Sequence, residues 1–248
     1  MTAGKPVRVQ KAIADRGLAS RREAEKWIEE GRVAVNGSIV ELGAKCLPGQ
    51  DTIEVDGRVI TRREPPKVVI AMNKPKGFVC TNEDPHAKKT VFDLLPPELA
   101  RMRLFCVGRL DKDSEGLLLL TNDGSLQQQL AHPSYNVLKK YQVDTNKAVR
   151  EEDVPKLLKG IKWEGERLSV EKVTPRGARA GESWKQLEVT LHHGKKREIR
   201  RLFYAFGYDV KKLRRTQIGQ LRLKGIPRGH IRTLGKRDIR LLFEAADA

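Results

Sequence analysis

Two adjacent prolines, Pro65 and Pro66, stand inside the charged run Arg62-Arg63-Glu64-Pro65-Pro66-Lys67. Proline lacks a backbone N–H and fixes φ, so neither a helix nor a central strand continues through such a stretch. The 248 residues are therefore expected to fold in two parts, a small domain over 1–61 and a larger one over 68–248, joined by a linker at 62–67. In the small part Val9, Ile13 and Ala14 recur at helical spacing up to Arg16-Gly17. Ser20-Arg21-Arg22-Glu23 has the form of a capping box opening a second helix through Trp27 and Ile28 to a stop at Gly31. Arg32 to Val35 then alternates like a strand, Asn36-Gly37 is a hairpin turn signal, and Ile53-Glu54-Val55 before Asp56-Gly57 repeats the pattern.

Beyond the prolines, Val68 to Met72, Phe105 to Val107, Leu117 to Leu120, Gln142-Val143 and Leu187 to Leu191 read as strands, and Glu152 to Leu158 and Glu198 to Phe206 as helices. Without a regular strand-helix-strand alternation, the expected class is α+β. Apolar residues make up 39% of the chain, enough for a packed core and too much for a wholly disordered chain. No stretch approaches the ~20 apolar residues that span a bilayer, and the start MTAGKPVRVQ lacks the apolar run of a signal peptide, so a cytoplasmic location is expected.

The net charge of +17 points to a polyanionic partner, with nucleic acid favoured over a membrane. The surplus is uneven. Lys195 to Arg240 holds 16 basic residues against three acidic ones, whereas residues 1–64 hold 12 against 10. Cys46, Cys80 and Cys106 lack neighbours at metal-ligand spacing and read as reduced thiols. His132-Pro133 and His192-His193 likewise lack metal-spaced partners, and Gly225-Ile226-Pro227-Arg228-Gly229 lacks the lysine of a phosphate-cradling loop. Neither a metal nor a nucleotide cofactor is expected.

The most informative segment is Val107-Gly108-Arg109-Leu110-Asp111-Lys112-Asp113-Ser114-Glu115-Gly116, followed by four leucines. A charged turn wedged between apolar strands exposes its side chains at a sheet edge, where a carboxylate meets ligands. By spacing alone, a surface pair of Arg109 with Asp111 accounts for the turn better than catalysis does.

This turn closely resembles the catalytic signature of pseudouridine synthases of the RsuA/RluB branch, which modifies ribosomal RNA. Three more segments resemble the branch in order: Met72-Asn73-Lys74-Pro75-Lys76-Gly77, Lys139-Lys140-Tyr141, and Gly194-Lys195-Lys196-Arg197-Glu198-Ile199-Arg200-Arg201-Leu202-Phe203. The first sixty residues resemble an S-four-type RNA-binding domain. The resemblance implies a small helix-helix-sheet domain joined to a catalytic domain with a central, mostly antiparallel mixed sheet flanked by helices. It further implies an isomerase that converts a uridine of ribosomal RNA, as naked RNA or in an assembly particle, to pseudouridine, a redox-neutral step that needs no cofactor; nothing in the sequence suggests an obligate dimer, so a monomer is expected. Large-subunit (23S) RNA is the preferred target, with small-subunit (16S) RNA, or a noncatalytic assembly factor on the same fold, as alternatives.

Residue by residue, the resemblance makes Asp111 the catalytic aspartate, Tyr141 the active-site tyrosine, and Arg200 the cation paired with Asp111. Arg109 is expected to hold the rearranged RNA. Lys74, Lys140, Lys195, Lys196, Arg197 and Arg201 are expected to contact RNA, as are Arg8, Arg21, Arg22, Lys26 and Arg32 of the small domain. Arg197-Glu198 stands where related branches have His-Gln. The chemistry breaks the bond from ribose C1′ to N1, turns the uracil and rejoins it through C5. It needs an ionised carboxylate in a desolvated pocket, which a nearby guanidinium favours, and a flipped nucleotide, which costs a few kcal/mol.

Overall fold

The computed structural model describes residues 5–61, 64–82, 88–131, 135–176 and 184–244, so His132-Pro133 and Arg62-Arg63 lie outside the described residues. The chain divides into two compact units, Met1–Lys67 and Val68–Ala248. No helix among the described residues is long and apolar enough to cross a membrane.

In the first unit, β1 (Val7–Arg8) leads into α1 (Val9–Asp15) and α2 (Arg21–Glu29). Gly17 takes φ 72° after α1, and its N–H reaches the Ala14 carbonyl at 2.9 Å. Ser20 Oγ accepts from the Glu23 N–H at 3.0 Å while the Glu23 carboxylate accepts from the Ser20 N–H at 3.1 Å, so the capping box forms as its spacing requires. The strands β2 (Val33–Val35), β3 (Ser38–Ile39), β4 (Lys45–Cys46), β5 (Ile53–Val55) and β6 (Arg58–Val59) follow. Both hairpin turns place two residues in the left-handed region, Asn36-Gly37 and Asp56-Gly57, which matches the twist of the flanking strands. The sheet runs β3-β2-β5-β6, β1 pairs β4, and Val9, Ile13, Ala24, Ile28, Val33 and Ile53 pack between helices and strands.

The second unit is built on one mixed sheet. Its elements are β7 (Val69–Lys74), α3 (Pro97–Ala100), β8 (Phe105–Val107), β9 (Glu115–Thr121), α4 (Gly124–Ala131), β10 (Lys139–Thr145), α5 (Val154–Lys159), β11 (Ile161–Trp163), β12 (Glu166–Leu168), β13 (Lys172–Pro175), β14 (Gln186–Leu191), α6 (Glu198–Ala205), β15 (Val210–Ile218), β16 (Leu221–Arg222), β17 (Ile231–Thr233) and α7 (Lys236–Leu241). The order is β13-β14-β10-β15-β9-β7-β17, with β8 on β9 and β16 on β15. The β9–β15 pair is parallel and the other strand pairs of this sheet are antiparallel. Leu117 to Leu120 is an uninterrupted apolar run because the sheet is covered on both faces. Leu118 and Leu120 enter one core with Ile70, Met72 and Val143, and Leu117 and Leu119 enter another with Val69 and Ala71. Each fully buried leucine contributes about 1.5–3 kcal/mol.

Strand β15 escapes the sequence reading, since Lys211, Lys212, Arg214 and Arg215 disguise an alternation that turns Leu213, Arg215 and Gln217 inward. Where it meets β9, Gly116 lies opposite Arg215 with φ 108°, and a Cβ there would sit 2.2 Å from the Arg215 carbonyl oxygen. Gly116→Ala is expected to cost about 3 kcal/mol through backbone overlap and strain, read as a fall in chemical-denaturation midpoint.

Asp153 caps this unit from beneath α5. Its buried carboxylate accepts from Tyr208 Oη at 2.6 Å, Lys156 Nζ at 2.8 Å and Arg150 Nε at 3.1 Å. Lys156 above all, with Tyr208 and Arg150, holds its pKa down to about 2. The folded value lies below the unfolded one of about 3.9, so this contribution is present above pH 4 and is lost as pH falls from 4 towards 2. Asp153→Asn should therefore lower the melting temperature at neutral pH, and the gap from the native chain should close near pH 2 in a thermal-unfolding series.

Candidate active site

The charged turn between β8 and β9 is fastened from below by Lys74, the last residue of β7. Lys74 is fully buried, and its Nζ donates to the carbonyls of Ser114 at 2.8 Å, Asp111 at 3.0 Å and Pro75 at 3.1 Å. An ammonium has three N–H groups, so each finds an acceptor. Burial pushes the Lys74 pKa down, while Cys80, Asp111, Asp113 and Glu115 push it back up. The Gly77 N–H donates to the Lys112 carbonyl at 2.8 Å, and the Leu110 N–H to Cys80 Sγ at 3.5 Å. The hydrogen bond between the Cys80 and Cys106 thiols holds the first below and the second above the ordinary thiol range. The expected RNA contact of Lys74 is thus corrected: the side chain is sealed under the turn.

Above the turn lies an open cleft of about 660 Å³. Asp111 lines it from the turn, Tyr141 from β10, Leu191 from β14, Leu213 from β15, and Gly194 to Ile199 from the segment that opens α6. Asp111 is half-buried and makes no ion pair among the described residues. Tyr141 is 6% exposed and sits directly opposite Arg215 across the β10–β15 pair. Arg215 Nη1 lies 3.5 Å from Tyr141 Oη, Nε donates to the Leu117 carbonyl at 2.6 Å, and Nη2 is buried without a partner among the described residues. The inward alternation of β15 is the sequence signal that marks Arg215.

Arg200 does not pair with Asp111. Its guanidinium reaches Asp113 instead, at 3.3 Å from Oδ2, and donates to the carbonyls of Val210 at 2.7 Å and Asp113 at 3.3 Å. Helix α6 delivers Arg200 to the far end of the turn, and the Val210 carbonyl anchors it there, so Asp113 is the carboxylate within reach. Burial pushes the Arg200 pKa down, against the opposing pull of Asp113 and, at longer range, Asp111.

The remaining cations divide by what they touch. Arg109, Lys196 and Arg197 line the cleft and are exposed, and Lys195 lines it while donating to the Arg167 carbonyl. Arg197 holds φ 50° at the start of α6, an uncommon conformation for a side chain of its size. Alternation along β10 turns Lys140 away from Tyr141, and it pairs with Glu188 at 3.8 Å. Arg201 is paired with Glu166 at 2.6 Å and Glu164 at 3.8 Å of the β11–β12 hairpin, and Arg197 lies 3.4 Å from Asp113 Oδ1. In the first unit Arg8, Arg21 and Arg22 are exposed and Lys26 lies 3.7 Å from Glu30. Arg32 is instead a brace for the hairpin: it binds both Asp56 oxygens at 2.7 Å and lies over the Trp27 ring, and Asp56 first among its partners raises its pKa. His192 and His193, without metal-spaced partners in sequence, meet Glu171 and Glu198 through the fold.

A family model described as RNA pseudouridylate synthase matches residues 68–205, and one described as the S4 domain matches residues 7–53. The chain belongs to the RNA pseudouridylate synthase family. It is 38% identical to the ribosomal large subunit pseudouridine synthase B of Bacillus subtilis, over 97% of each chain. It is also 38% identical to the protein of that name from Pseudomonas aeruginosa, over 96% of this chain and 62% of that one. A crystal structure of a pseudouridylate synthase superposes with a TM-score of 0.67 at 28% identity, covering 95% of this chain and 99% of that one.

Lys74→Met removes every donor beneath the turn while keeping the stem's bulk. It is expected to destabilise the fold by about 3 kcal/mol through three stranded carbonyls and to lower the single-turnover rate of uridine isomerisation more than tenfold with Asp111 intact.

Proposed function

We propose that this chain isomerises one uridine of large-subunit ribosomal RNA to pseudouridine, with Asp111 as the catalytic carboxylate. The observation that carries the reading is Asp111 itself: a half-buried carboxylate without an ion pair, held by its own backbone, facing an open cleft that Tyr141 also lines. A cation bound directly to it would block its approach to the ribose or the base. The cleft volume falls in the ~300–1,000 Å³ range of small-molecule sites, and one flipped nucleotide is the substrate it is read to admit.

In this reading Leu110, Leu191 and Leu213 supply the apolar floor on which the uracil displaces water, and Tyr141 offers its ring as a stacking face. Arg109, Lys196 and Arg197 at the rim take phosphates, a salt-dependent and sequence-independent contribution. The C1′–N1 bond breaks, the ring turns, C5 joins C1′ and the C5 proton leaves as N1 gains one. Substrate and product are isomers, so the atoms balance without a co-reactant. Arg200 acts as a positioning residue through Asp113. The exposed Arg21 and Arg22 of the first unit also contact the RNA. The large-subunit target rests on the names of the relatives that align over nearly the whole chain.

The test is carbodiimide primer extension on 23S and 16S transcripts and on ribosomal assembly particles. The native chain is expected to modify 23S RNA, and Asp111→Asn and Asp111→Ala to leave no signal while binding the same RNA within about threefold, since phosphate contacts dominate affinity. Turnover that survives either variant contradicts the role of Asp111. Modification confined to 16S RNA overturns the target.

A further inference from the structure

Beside the cleft, where β14 ends, three ligand-bearing side chains converge from two segments of the chain. Glu171, His192 and His193 each present one donor atom, and these atoms all lie within 4.8 Å of one another. We propose that they form a binding site for a divalent transition-metal ion of the zinc type, with His192, His193 and Glu171 as ligands and one position open to water.

The geometry is prepared on both sides. The Glu171 N–H donates to the Thr190 carbonyl at 2.8 Å, which locks Glu171 beside the end of β14. His192 Nδ1 lies 2.8 Å from Glu171 Oε1. Two lone-pair atoms at that distance need a bridge between them, either the hydrogen of a ring N–H or a metal that both coordinate. His193 Nδ1 lies 2.7 Å from Oε2 of Glu198, a carboxylate whose side chain is only 2% exposed. A carboxylate on one ring nitrogen fixes the tautomer and leaves Nε2 with the lone pair to give, the support that metal-bound histidines commonly receive. Glu198 is itself set by the Lys195 N–H at 3.0 Å, and its Oε1 is buried without a partner among the described residues.

Charge and chemistry agree. Two imidazoles and a carboxylate with a vacant fourth position are the ligand set of an open zinc site, and a doubly charged ion offsets the carboxylates of Glu171 and Glu198. Lys139 donates to the carbonyls of His192 at 2.8 Å and Val137 at 3.2 Å, which holds the backbone under the first histidine. Since Glu198 also lines the cleft, metal binding braces the segment that carries Lys195, Lys196 and Arg197 into it.

The full chain, stripped with chelator, is titrated with Co²⁺ and then Zn²⁺. One equivalent of Co²⁺ should give a visible d–d band that Zn²⁺ abolishes, and Zn²⁺ should raise the melting temperature. Glu171→Gln and His192→Ala, both outside the cleft lining, should each weaken binding at least tenfold and lose that rise in melting temperature. His193→Ala, whose partner Glu198 is buried, is read only alongside these two. The proposal fails if no stoichiometric band appears or if Glu171→Gln and His192→Ala bind as the native chain does. It fails equally if a near-ultraviolet thiolate-to-cobalt band places the ion on the cysteines.

Discussion

The ammonium of Lys74 is the constraint on which the second unit's chemistry depends. A cation fully removed from water is costly unless its hydrogen bonds are all met, and here three carbonyls, two of them in the turn that carries Asp111, meet them. The bond runs in both directions. The turn cannot shift without stranding a buried charge, and β7 cannot slide because Asn73 beside Lys74 donates to the Ile226 carbonyl at 2.8 Å while its own N–H reaches the His230 carbonyl at 3.0 Å. A carboxylate in solvent-facing coil thereby inherits the rigidity of the sheet centre.

That arrangement explains how Asp111 stands unpaired in so basic a chain. The buried and half-buried cations around the turn are committed elsewhere: Lys74 to carbonyls, Arg200 to Asp113 and Val210, Arg215 to Leu117 and Tyr141. The large positive surplus is therefore a poor guide to RNA contact. Arg201 and Lys140 are taken up by acids of neighbouring strands, whereas Arg109 and Lys196 keep exposed heads at the rim, and Arg197, also exposed, lies 3.4 Å from Asp113 Oδ1. Free cations at the rim attract phosphates over a Debye length of about 8 Å at physiological salt, and the committed ones shape the walls.

What the sequence reveals is what local patterning controls. The capping box at Ser20, the two left-handed hairpin turns and the doubly covered leucine run are each written within a few neighbouring residues. What it hides has a different cause. Lys74 reads as a surface cation because its acceptors lie 37 and 40 residues away. Arg201 reads as free because Glu166 is 35 residues upstream. Lys140 is distinct, since period-two alternation next to an inward Tyr141 already places it on the other face. The fold class needed only element patterning, but the Asp113 partner of Arg200 and the Glu171 partner of His192 needed the tertiary approach of elements that no spacing rule connects.

The parallel contact of β9 with β15 supplies that approach for the cleft. Antiparallel neighbours joined by hairpins bring together residues close in sequence, whereas a parallel pair requires a crossover, and here the crossover carries β10, β14 and α6. Gly116 lets the two backbones close to a distance that no side chain at that position would permit. It thereby brings the start of β9, directly after the Asp111 turn, against Arg215, whose guanidinium reaches both Leu117 and Tyr141. Carboxylate, aromatic ring and basic rim come from segments spread over about ninety residues of sequence, and their meeting point is fixed by one missing methyl group and one buried ammonium. A site so placed is preorganised before RNA arrives, so binding free energy goes into extracting the nucleotide from its stack and not into assembling the pocket.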